Sequence, residues 1–263
     1  MELHLRDKHI LITGGSKGIG LACAHAFLSE GSRVSLISRD LQNLKRAKAQ
    51  LASHGLERIQ IFAADLRDAA AAVAALDAAE KMSGSVDVLV NSAGAAKRTP
   101  APELTPQAWQ DAMQAKYFSY IHMMDPVIKR MAAKGKGSIV NVVGNGGKVA
   151  SPIHLPGGAA NAALMLATAG LANAYAAQGI RVNAINPGLT RTDRLKEGMA
   201  ADARLQGIET DEAMKRAVAK IPMGRMAEPE EIARVVLFLA SEAASYVTGV
   251  NMTMDGVSTP IVI

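Results

Sequence analysis

Short apolar runs alternate along this chain with longer segments in which apolar residues recur every three or four positions. The runs predict strands at residues 9–12, 33–38, 58–63, 86–90, 138–143, 180–185 and 250–254. The periodic segments predict helices at residues 21–30, 41–53, 68–82, 107–134, 159–177 and 228–241, and a polar, helical pattern covers residues 190–220. Continuous apolar runs are typical of strands that are buried on both faces. The alternation predicts an α/β fold: one domain over residues 1–263, with a doubly wound parallel sheet and helices on both faces.

A glycine-rich loop connects the first predicted strand to the first predicted helix. Its sequence is TGGSKGIG, from Thr13 to Gly20. Glycines let the backbone turn sharply and let a pyrophosphate approach closely, while the helix N-terminus offers free N–H groups and the positive end of its dipole. Between a strand and a helix, this pattern predicts a dinucleotide-binding site. The alternative is an ordinary strand–helix turn.

Composition and charge narrow the function classes. The chain carries a net charge of +5 without a basic block interleaved with aromatic residues, so a nucleic acid partner is not expected. Cys23 is the only cysteine, which excludes an intrachain disulfide and a thiolate-based metal site, and no metal is expected. We find neither a signal-peptide core near the N-terminus nor a stretch long and uncharged enough to span a bilayer. We therefore expect a cytoplasmic protein without a membrane partner.

Further motifs follow the glycine-rich loop in order. They are Asp65-Leu66, the segment Asn91-Ser92-Ala93-Gly94, the segment from Asn186 to Thr192 with sequence NPGLTRT, Thr248-Gly249 and Asp255-Gly256. Together with the loop, they resemble the motifs of the short-chain dehydrogenase/reductase family, of the single-domain Rossmann type, and the resemblance covers nearly the whole chain. It implies cofactor contacts from Thr13, Gly14, Ser16, Lys17, Gly18, Ile19, Gly20, Asp65, Leu66, Asn91, Ala93, Gly94, Pro187, Gly188, Leu189 and Thr192.

The end of the second predicted strand bears on the choice of cofactor. NAD-binding proteins of this type place a carboxylate there to bind the ribose hydroxyls. This strand ends in Ser38-Arg39, and the first acidic residue is Asp40. The planar guanidinium of Arg39 suits a 2′-phosphate, and Lys17 adds a second charge. The sequence predicts NADP(H) in preference to NAD(H), with plain surface cations as the alternative.

The resemblance also implies a catalytic Ser, Tyr and Lys with an assisting Asn, and this chain departs from that pattern. Alignment of the fifth strand puts Gly144 at the Ser position and Gly157 at the Tyr position. Asn161 then stands at the Lys position and Lys116 at the Asn position. Because glycine carries no side-chain donor, the usual proton-transfer route is not expected.

Candidate replacements are Lys116, His154 and Asn161. Lys116 and Asn161 look exchanged, so we expect Lys116 to place a cation near the nicotinamide ribose; a solvated or interface charge is the alternative. His154 lies in the loop that borders the substrate space and is suited to proton transfer near neutral pH, although it is equally consistent with a loop histidine without chemistry.

Other cations suggest an acidic substrate. Asn145 and Lys148 are candidates for binding an oxyanion or a carboxylate. Basic residues also follow Pro187-Gly188, at Arg191, Arg194, Lys196 and Arg204. They are a weak indication of an acidic small molecule, and the solvated face of a helix is the alternative.

Three functions remain open from the sequence. The first is an NADP(H)-dependent oxidoreductase with a rearranged acid–base site. The second is a nucleotide-binding protein without turnover, such as a redox sensor or a regulatory partner. The third is a lyase-like enzyme of another class on the same scaffold. In each case the apolar face of the long helix at 107–134 and the small-residue helix after it predict a homo-oligomer, a dimer or a tetramer.

Overall fold

The computed structural model describes residues 2–94 and 96–261, apart from the side chains of residues 196 and 197. Its strands are β1 His9–Thr13, β2 Arg33–Ser38, β3 Ile59–Ala63, β4 Val88–Asn91, β5 Gly137–Val142, β6 Ile180–Pro187 and β7 Asn251–Met254. All pair in parallel in the order β3-β2-β1-β4-β5-β6-β7. The predicted doubly wound parallel sheet is confirmed.

The helices described in this structure cover both faces of the sheet. They are α1 Gly18–Ser29, α2 Leu41–Gln50, α3 Ala69–Ser83, α4 Pro106–Ala112, α5 Ser119–Lys134, α6 Leu155–Tyr175, α7 Asp193–Gln206, α8 Thr210–Ala219 and α9 Pro229–Ala240. One core contains Phe27 of α1 and Val236 of α9, and the core on the opposite face contains Leu76 of α3, Met124 of α5 and Leu164 of α6. Strands buried between two such layers explain the continuous apolar runs.

The sheet order reverses between β1 and β4. From β1 the chain moves outward to β2 and β3, then returns to β4 on the other side of β1. The loops that leave these two strands therefore separate at the carboxyl edge of the sheet and open a crevice. The glycine-rich loop and the segment after Asn91 form its two sides.

Two predicted helices needed correction. The helix predicted at 107–134 is divided into α4, a π-helical turn at Met113–Phe118, and α5. The helical pattern at 190–220 forms two helices, α7 and α8, because Gly207 adopts a left-handed backbone (φ 66°) that ends α7.

The expectation that no stretch is long and apolar enough to span a bilayer was also wrong. The segment Leu155–Gln178 passes that test by length and composition, with a mean hydropathy of 1.3. It is rich in Ala, Gly and Leu. Its inner face, which includes Leu164, packs against the sheet, but only 39% of the apolar stretch is buried. It is weak evidence for a membrane.

Candidate active site

The glycine-rich loop closes tightly against the segment that follows β4. Gly14 has a positive φ of 68°, and a Cβ atom there would lie 2.6 Å from the carbonyl oxygen of Ser92. A Cβ atom on Gly20 would collide with the carbonyl oxygen of Gly14. Both positions require glycine for space, so the loop keeps its backbone exposed above the start of α1.

Thr13 and Asn91 hold this arrangement from below. Both side chains are fully buried. The Thr13 hydroxyl donates to Asn91 Oδ1 (3.2 Å) and accepts from the backbone N–H of Ser92 (3.2 Å). Asn91 Nδ2 donates in turn to Asn141 Oδ1 (3.0 Å), and Asn141 Nδ2 to Thr168 (3.0 Å). This hydrogen-bonded chain links β1, β4, β5 and α6, so Thr13 and Asn91 position the loops with side chains that do not line the cleft.

One end of the crevice is a cavity of about 220 Å³ at the ends of β2 and β3, here called the outer cavity. Its lining includes predicted cofactor residues at Gly14, Arg39, Asp65, Leu66, Ala93 and Gly94. The Ser16 hydroxyl donates to the Ser38 hydroxyl (3.1 Å), which ties the glycine-rich loop to β2. The Asp65 carboxylate is paired with Arg67 Nη2 at 2.5 Å, and this pairing lowers the pKa of Asp65.

The second cavity, here called the inner cavity, has a volume of about 380 Å³ and lies over the carboxyl ends of β5 and β6. Its lining includes the predicted site residues Ile19, Gly94, Lys116, Gly144, His154, Gly157, Asn161, Pro187, Gly188, Leu189 and Thr192. Ser92, Gly94 and Arg194 line both cavities, so the two form one continuous cleft. The structure brings the three candidate catalytic side chains to the same end of that cleft.

Lys116 reaches the cavity from the π-helical turn. A π turn adds a residue to the helix and changes the direction of the side chains around it, often at functional sites. Lys116 is 7% exposed, and its Nζ donates to the Tyr120 hydroxyl (2.7 Å) and the Val142 carbonyl (3.1 Å). Burial, with a smaller effect from Arg194, lowers the pKa of Lys116 well below its usual range. Its Nζ is therefore held at the end of β5 by neutral oxygen atoms.

Gly144 occupies a backbone conformation that a serine would adopt only with strain. Its φ is 121°, and a Cβ atom there would lie 3.2 Å from Asn161 Nδ2. Asn161 is 5% exposed and lines the cavity beside Gly144. The Asn161 amide therefore fills part of the space next to position 144.

His154 lies across the face of Gly157. It precedes α6, and its ring bends back over the first turn of that helix. A Cβ atom on Gly157 would collide with the imidazole, at 2.5 Å from Nε2 and 2.8 Å from Nδ1. The ring therefore occupies the space into which a side chain at position 157 would extend.

The environment of His154 keeps the ring neutral. Burial is the main cause, and the positive charges of Arg98, Arg194 and Lys116 add to it, so that the pKa falls to about 4. Nδ1 is buried without a hydrogen-bond partner in the part of the chain that the structure describes. At neutral pH this imidazole offers one N–H donor and one lone pair.

The structure corrects part of the predicted acid-binding set. Lys148 donates to the Asn251 carbonyl (2.9 Å) and the Thr253 hydroxyl (2.8 Å), so it fastens the loop to β7. Asn145 lines the cavity, but its Nδ2 donates to Asp255 (2.9 Å) and Thr259 (2.8 Å).

Among the basic residues after β6 whose side chains the structure describes, only Arg194 lines the cavity. Arg191 and Arg204 pair with Glu228 and Glu103 at the surface, and the side chain of Lys196 lies outside the described residues. Arg194 donates to the carbonyl oxygens of Gly94 (3.0 Å) and Ala96 (3.5 Å).

The sequence analysis missed Arg98. This largely buried guanidinium lines the cavity and acts on His154. A signal was present, because Arg98 follows the Gly94 motif by four residues and loops that leave the carboxyl ends of strands carry ligand contacts in sheets of this kind.

Comparison with known proteins identifies the family of this chain. A family model described as enoyl-(acyl carrier protein) reductase, of the short-chain dehydrogenase group, matches residues 14–257. The chain belongs to the short-chain dehydrogenase/reductase family. A relative in Xanthobacter autotrophicus, 2-(S)-hydroxypropyl-CoM dehydrogenase 3, is 36% identical over 99% of this chain and 100% of its own length.

Solved structures of this family superpose closely. A single-residue variant of the actinorhodin polyketide ketoreductase, solved with NADPH, has a TM-score of 0.93 at 29% identity, over 97% of this chain and 98% of its own. An NADPH-bound short-chain oxidoreductase of Pseudomonas aeruginosa, described as containing an atypical catalytic center, has a TM-score of 0.87 at 30% identity, over 98% and 100%. These short-chain dehydrogenases/reductases bind NADPH in the fold that this chain adopts.

Proposed function

We propose that this short-chain dehydrogenase/reductase is an NADP(H)-dependent oxidoreductase that interconverts a carbonyl compound and an alcohol with His154 as its proton-transfer group. The observation that carries the proposal is the position of the His154 ring over Gly157, at the end of the cleft that also contains Lys116 and Asn161. The cleft retains the cofactor motifs of the family, and a titratable ring fills the space left at position 157.

The residues of the cleft fit a dinucleotide. Gly14, Gly20 and Gly94 let backbone segments pack closely around the cleft, because a Cβ atom at each would collide with a carbonyl oxygen of a neighbouring segment. Ile19, Pro187 and Thr192 border the inner cavity, where the reacting end of the cofactor is expected. When bound, NADP(H) supplies or accepts the hydride.

The role of Asp40 as a helix cap supports a preference for NADP(H). Its carboxylate caps α2 by accepting from the Asn43 backbone N–H (2.8 Å), so it is engaged in the helix. Arg39 lines the outer cavity and is exposed, as is Lys17 at the start of α1. Two cations and no uncommitted carboxylate at the described end of β2 favour a 2′-phosphate over a ribose 2′-hydroxyl.

The absence of the usual Ser, Tyr and Lys is part of the proposal. Support comes from the backbone at Gly144, which disfavours a serine, and from the ring of His154, which excludes a tyrosine at 157 without movement. The Pseudomonas aeruginosa structure described as having an atypical catalytic center provides a precedent within the family.

His154 is then the group that handles the substrate proton. Its neutral ring accepts the hydroxyl proton during alcohol oxidation and becomes an imidazolium. In carbonyl reduction the ring first takes a proton from water, and the imidazolium then gives that proton to the oxygen as the hydride is transferred. The positive charge of Arg194, which lines the same cavity, stabilises negative charge that develops on that oxygen. Lys116 and Asn161 position the end of β5 and the start of α6 around the reacting atoms.

The test compares His154→Gln with the native protein in two assays. The first is NADPH binding, followed by nucleotide fluorescence, and we expect no change. The second is NADPH oxidation with a panel of small ketones, where loss of proton transfer is expected to lower the rate about 100-fold or more. His25→Gln is the matched control, because His25 is exposed on α1, away from the cleft.

The outcomes separate the three candidate functions. A His154-dependent rate with consumption of NADPH supports the oxidoreductase. Unchanged turnover in His154→Gln removes His154 from the mechanism. Tight NADPH binding without turnover of any substrate favours the sensor or regulatory protein, and turnover that leaves NADPH unconsumed favours the lyase-like enzyme.

A further inference from the structure

Arg98 is a cationic side chain in the inner cavity, and the proposed binding of the cofactor does not use it. It lies in the loop after β4 and lines the cavity together with His154 and Arg194. Within the described residues it forms no hydrogen bond and no ion pair. An arginine is charged at any physiological pH, so a largely buried guanidinium without a protein partner retains its hydrogen-bonding capacity for a ligand.

The surrounding structure fixes the position of this guanidinium. The Thr99 backbone N–H donates to the Ile153 carbonyl (3.0 Å), which joins the Arg98 segment to the segment that carries His154. On the other side, a Cβ atom on Gly198 would lie 2.9 Å from Arg98 Nε. Helix α7 therefore covers Arg98 closely, and only a glycine leaves room for the guanidinium at that point.

The described residues that line the cavity supply no negative charge to balance Arg98, because none of them is acidic. The carboxylate that acts on Arg98 is that of Asp202 on α7, which lies outside the lining and beyond ion-pair distance. An electropositive site of this kind attracts and holds an anion, and the planar fork of an arginine matches a carboxylate in two-point contact.

We infer that this cavity selects a small anionic ketone or secondary alcohol, and that Arg98 is the residue that binds the anionic group of the substrate. The inference rests on the proposed oxidoreductase function and names its substrate class. Because Arg98 and His154 are held beside each other, an anion on Arg98 places the carbonyl of the same small molecule at the imidazole.

An anion on Arg98 also has a consequence for His154. In the protein alone, the positive charges of Arg98 and Arg194 contribute to the lowered pKa of His154. A bound negative charge offsets both and raises the pKa of His154 towards the neutral range, where proton transfer is most efficient. The anion that binds Arg98 therefore also brings the pKa of His154 closer to the range in which the ring can transfer a proton.

The experiment uses four compounds that share an acetonyl group and differ in one substituent: acetoacetate, 2-oxopropanesulfonate, 2-oxopropylphosphonate and the neutral acetoacetamide. Binding to the NADP⁺-saturated protein is measured by calorimetry, so that the readout does not require turnover. We expect at least one of the anions to bind about tenfold or more tightly than acetoacetamide. The ranking among the three anions distinguishes a carboxylate from a sulfonate or a phosphonate.

Variants assign the effect to Arg98. In Arg98→Met the preferred anion is expected to lose about tenfold or more in affinity while acetoacetamide is unaffected. Gly198→Ala, which displaces the guanidinium without removing it, is expected to show an intermediate loss. Arg204→Met is the matched control, because Arg204 is on α7 but pairs with Glu103 at the surface. Unchanged NADPH binding in each variant shows that the fold is intact.

Equal binding of anions and amide, undetectable binding of all four at millimolar concentration, or full anion affinity in Arg98→Met overturns the inference. Its failure is distinguishable from that of the proposed function. Arg98-dependent anion binding without oxidation or reduction supports the anion site and refutes the oxidoreductase. Turnover of neutral ketones without a preference for anions supports the oxidoreductase and refutes the anion site.

Discussion

At the scale of single residues, the shape of the site depends on two glycines, Gly144 and Gly157, that carry no side chain into it. Gly144 has a backbone that serine disfavours, and Gly157 has its open side covered by the His154 ring. From spacing alone, the sequence predicts that these glycines stand at the Ser and Tyr positions of the family, and this stays a prediction. It did not predict where His154 lies, because the ring position is set by a loop whose path depends on its packing against α6.

Gly157→Ala tests the contact between Gly157 and His154. The added methyl group occupies the position of the imidazole, so we expect the ring to be displaced towards solvent and activity to fall about tenfold or more, with NADPH binding retained. Proton NMR of the histidine Cε1–H groups measures the displacement, because loss of burial raises the pKa of His154 from about 4 towards its usual value. The other histidine signals provide the internal reference. An unmoved resonance with full activity contradicts the arrangement.

The same histidine affects stability as a function of pH. Its pKa in the folded protein is about 4, below its ordinary value of 6.5, so the unfolded chain binds the proton first on acidification. The free energy of unfolding that the neutral His154 ring contributes is therefore present above pH 6.5 and is lost as the pH falls towards 4. His9 acts in the same direction, because burial lowers its pKa.

Urea unfolding of the native protein and of His154→Gln isolates this contribution. We expect the free energy of unfolding of the native protein to fall more steeply between pH 6.5 and 4 than that of the variant. Parallel curves for the two proteins across that range exclude a lowered pKa at His154.

At the scale of elements, prediction succeeded where a local pattern decides the structure. The apolar run at residues 33–38 forms β2 over the same residues, and the Asp40 side chain then caps α2. The π turn at Met113–Phe118 was not predictable, because its periodicity is masked by apolar residues at spacings of three and four. Arg98 was missed for a related reason. It lies in a loop, and its position in the cavity depends on packing against α7, which is distant in the sequence.

The turn between β2 and α2 decides the cofactor in our proposal. In Arg39→Ala we expect NADPH affinity to fall about tenfold or more, because a charge-assisted hydrogen bond contributes about 1.5–3 kcal/mol, while NADH affinity is unchanged. Nucleotide fluorescence titration measures both. Lys45→Ala is the control, because Lys45 is an exposed cation on α2 outside the cleft. An equal loss for both nucleotides, or for neither, shows that Arg39 does not read the 2′-phosphate.

At the scale of the whole molecule, the strand order explains why the site lies where it does. The reversal between β1 and β4 opens the crevice, and the chain of hydrogen bonds from Thr13 to Thr168 fixes the loops on its two sides. The parallel sheet and the binding loop after β1 follow from the alternation of strands and helices and from the glycine motif, whereas the hydrogen-bonded chain was not predicted. One surface of the described part of the molecule has no partner in this arrangement. Helix α6 lies over the sheet, but only 39% of its apolar stretch is buried.

In the homo-oligomer predicted from the sequence, we expect this outer face of α6 to pack against a second copy of the chain. Leu166 is 76% exposed there, an unusual position for a leucine in the middle of an otherwise apolar helix. In Leu166→Glu, two copies of the helix would bring buried charges together, so we expect a shift to monomers at micromolar concentration, measured by sedimentation velocity. Leu56→Glu is the matched control, because Leu56 is 51% exposed on a different part of the surface. A native protein that is already monomeric, or an oligomer that tolerates glutamate at 166, excludes this face as the interface and leaves the apolar surface of α6 for another partner.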